Sequence, residues 1–110
     1  KTYLSSIIQS RGAGFPKLHG SVVQLDIDAD DDEKIARTIV YRNGYDVENN
    51  VLYVSEALVN AGWKRTADHR TRAADFGRQL VFQKQNEEIT MTVRQASGTT
   101  EVVANHTRTR

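Results

Sequence analysis

The chain has 110 residues, 38% of them hydrophobic and 26% charged, with one proline and no cysteine. That is the size and composition of one soluble globular domain, expected to span residues 1–110. The missing cysteines exclude disulfides, thiolate catalysis and every cysteine-containing zinc site, and no apolar run reaches the roughly 18 residues a membrane span needs. The formal charge of +1 hides an asymmetry: residues 1–60 hold six Lys/Arg against nine Asp/Glu, a net −3, and residues 61–110 hold nine against five, a net +4. Such a split can steer a charged partner, unless folding brings the halves together and cancels the field. A start at Lys1 rather than Met is expected of a processed or truncated chain.

In chain order, Tyr3, Leu4, Ile7 and Ile8 fall at helical spacing, and Arg11-Gly12 supplies a stop. This predicts a short N-terminal helix and a loop over 1–20. "SVVQLDID", residues 21–28, alternates so that Val23, Leu25 and Ile27 face the core while Gln24, Asp26 and Asp28 face water. After an acidic turn, the β-branched "EKIARTIVYRN" reads as a second strand paired with the first.

"YDVENNVLYVSEALVNAGW" carries Val47, Val51, Val54, Leu58 and Ala61 at i, i+4, i+7, i+11 and i+14. It predicts a long amphipathic helix over about 46–61, starting at Tyr45 or Asp46 and stopped by Gly62. "QLVFQKQ" and "EEITMTVRQ" form a hairpin around Asn86-Glu87, and "TTEVVANHT" returns after a Ser97-Gly98 turn. The expected fold is α+β: an antiparallel sheet of about four to five strands, the long helix across one face, and the short N-terminal helix.

Four candidate sites follow. "DIDADDDE" opens like a calcium loop, with carboxylates at alternate positions from Asp26, but the loop's glycine is replaced by Asp31 and its closing glutamate by Arg37, so no metal is expected. His19, His69 and His106 are scattered, and Asp68-His69 has no activated serine beside it. No catalytic residue and no cofactor is expected, and the chain reads as a non-enzyme. "AGWKRTADHRTR", by contrast, gathers Trp63, Lys64, Arg65, His69, Arg70 and Arg72, with Arg78 further on. Its functional reading is an exposed basic connection over 64–78, with Trp63 as a stacking platform for an anion or nucleic acid. Its structural reading makes "AGWKR" a helix stop and the start of a strand, with the Trp63 ring closing the core and "TADHRTRAAD" a solvated connection. Last, Asn105-His106-Thr107 matches a glycosylation acceptor, read as chance.

A helix ending in "ALVNAGWKR", then "FGRQLVFQK", "EITMTVRQ" and "TTEVVAN", resembles small bacterial extracytoplasmic domains, often carried on lipoproteins, that lay one helix across an antiparallel sheet. The arrangement is also similar to the helix-grip domains of outer-membrane assembly lipoproteins. Gly62, Trp63, Gly77 and Phe82 carry the resemblance, which covers about residues 35–105. It implies scaffold or binding work in the bacterial periplasm or cell envelope, with the cytoplasm as the alternative. The expected function is a noncatalytic module binding a protein partner through a strand edge or the 64–78 connection. The alternative is an anion or nucleic-acid binder using the same basic segment.

Overall fold

The computed structural model describes residues 14–70 and 77–109. They form six strands and one helix: β1 (Val22–Asp30), β2 (Lys34–Asn43), α1 (Val47–Asn60), β3 (Lys64–Arg70), β4 (Arg78–Lys84), β5 (Glu87–Ala96) and β6 (Thr99–Thr109). The strands make a single sheet in the order β1-β2-β6-β5-β4-β3, with every neighbouring pair antiparallel. The architecture is a sheet-rich antiparallel α+β fold.

This corrects the expected one. There are six strands instead of four to five, and the helix is a short one of 14 residues, about 21 Å at 1.5 Å per residue. It packs mainly over β3, β4 and β5. The extra strand is β3, whose sequence "KRTADHR" has no apolar alternation. A strand at the border of a sheet needs none, because one of its sides meets water. The expected N-terminal helix falls on residues 1–13, outside the described residues. No helix among the described residues is long and apolar enough to cross a membrane.

The helix has well-formed ends. Asp46 is its N-cap, with Oδ1 accepting from the Asn49 N–H at 2.8 Å. At the other end the Gly62 N–H donates to Val59 O at 3.0 Å and the Trp63 N–H to Leu58 O at 2.9 Å. This double bond pattern is the one a left-handed residue permits, and Gly62 has φ +100°. Lys84 Nζ then donates to Ala61 O at 2.9 Å, bringing a cation to the negative end of the helix dipole.

Val47, Val51, Val54 and Leu58 are buried, and Ala61, the fifth member of the expected stripe, is exposed. Ser55, which is not part of that stripe, is buried as well. Beneath the helix lie Ile39, Tyr41, Leu80, Phe82, Ile89, Met91, Val93, Val102 and Ala104, with Phe15 against Tyr41 at 6.1 Å between ring centroids. Truncating a side chain so enclosed, as in Leu58→Ala, costs about 2–5 kcal/mol.

The alternation expected for β1 is inverted over most of the strand. Its ladder with β2 shifts register between Val23 and Leu25, so Val23 pairs with Tyr41, Leu25 with Val40 and Asp26 with Ile39. The extra residue, Gln24, moves every following side chain to the other face. Asp26 therefore points inward and is 1% exposed, whereas Leu25 is 41% exposed. Arg37 makes the inward turn tolerable: its Nε and Nη2 donate to the two Asp26 carboxylate oxygens at 3.0 and 2.9 Å.

Candidate functional site

Over residues 64–70 the basic segment singled out in the sequence is a strand, not a loop. Lys64, Arg65, His69 and Arg70 belong to β3, the outermost strand on one side, and Arg72 lies outside the described residues. Trp63 is half-buried and packed against the core. Its ring meets His106 edge-on, with centroids 5.5 Å apart, and Lys84 Nζ lies 5.9 Å from the ring centroid. His106 in turn contacts Glu87 through Nε2 at 2.7 Å.

Arg78 is the residue whose position departs furthest from the expectation of an open basic face. It is 8% exposed. Its Nε and Nη2 donate to Asp68 at 3.0 and 2.7 Å, and its Nη1 donates to both Glu48 oxygens at 2.7 and 2.8 Å. One guanidinium thus ties β4 to β3 and to the first turn of α1. The hydrogen bonds to Asp68 raise its pKa, those to Glu48 add to this, and burial opposes them. Asp68 also lies 3.5 Å from Arg65 Nη1, so a carboxylate stands among the cations of the strand. His69, next to it, faces the opposite side of the sheet, which separates the two as adjacent strand residues must be.

The acidic segment is also taken up by the fold. Asp26 holds Arg37, and Asp31 Oδ1 accepts the Glu33 and Lys34 N–H groups at 2.9 and 2.8 Å, shaping the β1–β2 turn. Asn105 Oδ1 accepts from the Thr38 hydroxyl at 2.7 Å. Near α1, Leu18, Tyr45, Asn49, Leu52, Tyr53 and Glu56 line an open groove of about 280 Å³.

The two sheet borders emerge as the candidate surface. β1 carries Asp26, Asp28 and Asp30 and no Lys or Arg, a net −3; β3 carries Lys64, Arg65 and Arg70 against Asp68, a net +2. Five spacings of roughly 4.8 Å put these strands about 24 Å apart, beyond the screening length at physiological salt. The opposite signs belong to the two border strands themselves, since β2 beside β1 carries Lys34, Arg37 and Arg42, and α1 brings Glu48 and Glu56 to the β3–β5 side. Strand order, which no local pattern encodes, was the missing information.

Beyond Gln24, the β1 stretch Leu25–Asp30 is regular. Leu25 aligns with Val40 and Val40 with Val103, so an apolar row on the face away from α1 runs out to this border. Asp26 and Asp28 face the helix side. Comparison of the chain with protein-family models, with curated proteins and with solved structures finds no match.

Proposed function

We propose that this chain is a noncatalytic protein-interaction module that accepts an extended partner segment along the β1 border of its sheet. The observation carrying this reading is that β1 has no strand on its outer side among the described residues, while its regular stretch ends an apolar row at Leu25. Strand addition there supplies main-chain hydrogen bonds for affinity and alternate side-chain contacts for specificity. Charge complementarity defines the partner segment: basic side chains on the face of Asp28 and Asp30, apolar ones beside Leu25 and Ile27. Work in the bacterial envelope is part of the proposal, and its support is the resemblance carried by Gly62, Trp63, Gly77 and Phe82.

The runner-up, an anion-binding surface over 64–78, loses its most enclosed cation to Asp68 and Glu48. A short synthetic peptide alternating lysine with valine tests the leading reading. Titrated into the isotopically labelled chain, it should shift the amide resonances of residues 25–30 saturably and slow their hydrogen exchange. Saturable shifts confined to another part of the molecule, or none, would overturn the β1 assignment.

A further inference from the structure

We infer that one partner for the β1 border is the β3 border of a second copy of this chain, joined head to tail. The inference rests on the strand-addition reading and names an occupant for it.

Three observations meet here. The first is charge: with Asp26 buried against Arg37, β1 still carries Asp28 and Asp30 and no Lys or Arg, and β3 is net +2, on opposite sides of the same sheet. Two β1 strands brought together would set aspartates against aspartates, and two β3 strands would set cations against cations, whereas β1 against β3 is complementary.

The second is direction. Six strands with every neighbour antiparallel leave β1 and β3 running in opposite senses. A second copy displaced along the width of the sheet therefore presents its β3 antiparallel to β1, with the helices of both copies on the same side. An odd number of strands would have forced a parallel junction in that arrangement.

The third is facing. Asp28 pairs with Arg37 and Arg65 with Phe82, which places both side chains on the helix side of the sheet. Across a junction Asp28 and Arg65 can therefore meet on one face, leaving Ile27 and Ala67 on the other.

Register shifts at Val23/Leu25 and at Arg65/Ala67 limit the length of the junction, since a bulge bends the strand and interrupts its ladder. Such features restrain sheets from uncontrolled growth. Association is accordingly weak, concentration-dependent and salt-sensitive. Because the two surfaces differ, it builds open chains of copies instead of closed twofold dimers.

Light scattering and sedimentation of the 110-residue chain read the result directly. At low ionic strength the average mass should rise continuously with concentration, without a plateau at the dimer, and should fall when salt is added. Asp28→Lys alone and Arg65→Glu alone should each weaken association about tenfold or more, with circular dichroism confirming that both variants fold. An equimolar mixture of the two variants should recover it, because each charge then finds its opposite on the other variant.

A chain that remains monomeric at every concentration and ionic strength overturns the inference. So does association that both variants retain, or a mixture that fails to recover. Saturable binding of the lysine-valine peptide at residues 25–30 by a strictly monomeric chain sinks this inference alone and leaves the proposed function standing.

Discussion

Asn43 and Asn50 face each other as a closed amide pair: Asn43 Nδ2 donates to Asn50 Oδ1 at 2.8 Å, and Asn50 Nδ2 donates to Asn43 Oδ1 at 2.9 Å. Asn50 is 0% exposed and Asn43 5%. The remaining capacity of the pair is used as well. Asn43 Nδ2 also reaches Ser21 Oγ at 3.0 Å, its Oδ1 accepts the Tyr45 N–H at 3.1 Å, and Asn50 Nδ2 reaches Asp46 O at 2.9 Å. The start of β1, the end of β2 and the first turns of α1 are thereby clamped at one point, and Thr100 of β6 adds a hydroxyl bond to Tyr45 O.

Asn50→Ala should destabilise the fold by about 1–3 kcal/mol, because it leaves the Asn43 amide buried without its main partner. Asn43→Ala should cost a similar amount. The double substitution should cost less than the sum, since the groups it removes are each other's partners. Urea titrations of the three variants check the coupling, and strict additivity would count against it.

The inverted register of β1 has a direct test. Asp26→Ala removes the partner of a part-buried guanidinium and should cost roughly 3 kcal/mol, whereas Leu25→Asp, at an exposed site, should change stability little. Simple alternation from Val23 predicts the opposite ranking. Thermal denaturation of the two variants decides between them.

Tyr41 is 0% exposed, and its hydroxyl has no hydrogen-bond partner among the described residues. Burial, with a smaller contribution from Tyr53, raises its pKa above the ordinary value of 10.0. A folded-state pKa above the unfolded one gives stability that is complete below the unfolded pKa and lost as pH rises toward the folded one. Unfolding should therefore become easier above pH of about 10. Tyr41→Phe should be neutral or slightly stabilising at pH 7, because it removes the buried hydroxyl that has no partner at this position, and it should flatten the alkaline loss. A stability-versus-pH series on both proteins is the check.

The alternative function gives a contrasting expectation. With Arg78 committed to two carboxylates and the Trp63 ring placed between His106 and Lys84, oligothymidylate should produce no saturable quenching of Trp63 at physiological salt. Tight binding that weakens by about 0.7 logarithmic units per neutralised phosphate, and that Arg65→Ala reduces, would restore the anion reading.

The contrast between legible and illegible features is physical. Val47, Val51, Val54 and Leu58 announce a buried helix stripe because one periodicity places them all, and Ser97-Gly98 announces a turn because both residues adopt positive φ, 52° and 82°. The facing of Asp26 cannot be read that way, since one inserted residue reverses an alternation that still looks regular along the chain. β3 is legible only at its start, Lys64-Arg65, because a border strand needs no apolar face to announce its continuation to Arg70. The Asn43–Asn50 pair and the engagement of Arg78 by Glu48 join residues whose proximity depends on tertiary packing. The candidate surface depends on which strands end up outermost, and charge composition gains its meaning only from that order.

β6 follows the other five strands in sequence yet lies inside the sheet, bonded to β2 on one side and β5 on the other. Until it is synthesised, the hairpin β1–β2 and the meander β3–β4–β5 are separate half-sheets, each with an unsatisfied inner flank. Ile39 and Tyr41 on one half and Met91 and Val93 on the other lack the strand that carries Val102 and Ala104 between them. Closure joins residues as distant as Lys34 and Thr109, a long loop to immobilise before any contact compensates for it. Vectorial synthesis thus leaves the nascent sheet dependent on β6, and the time spent waiting for it is when this fold is most exposed to misassembly.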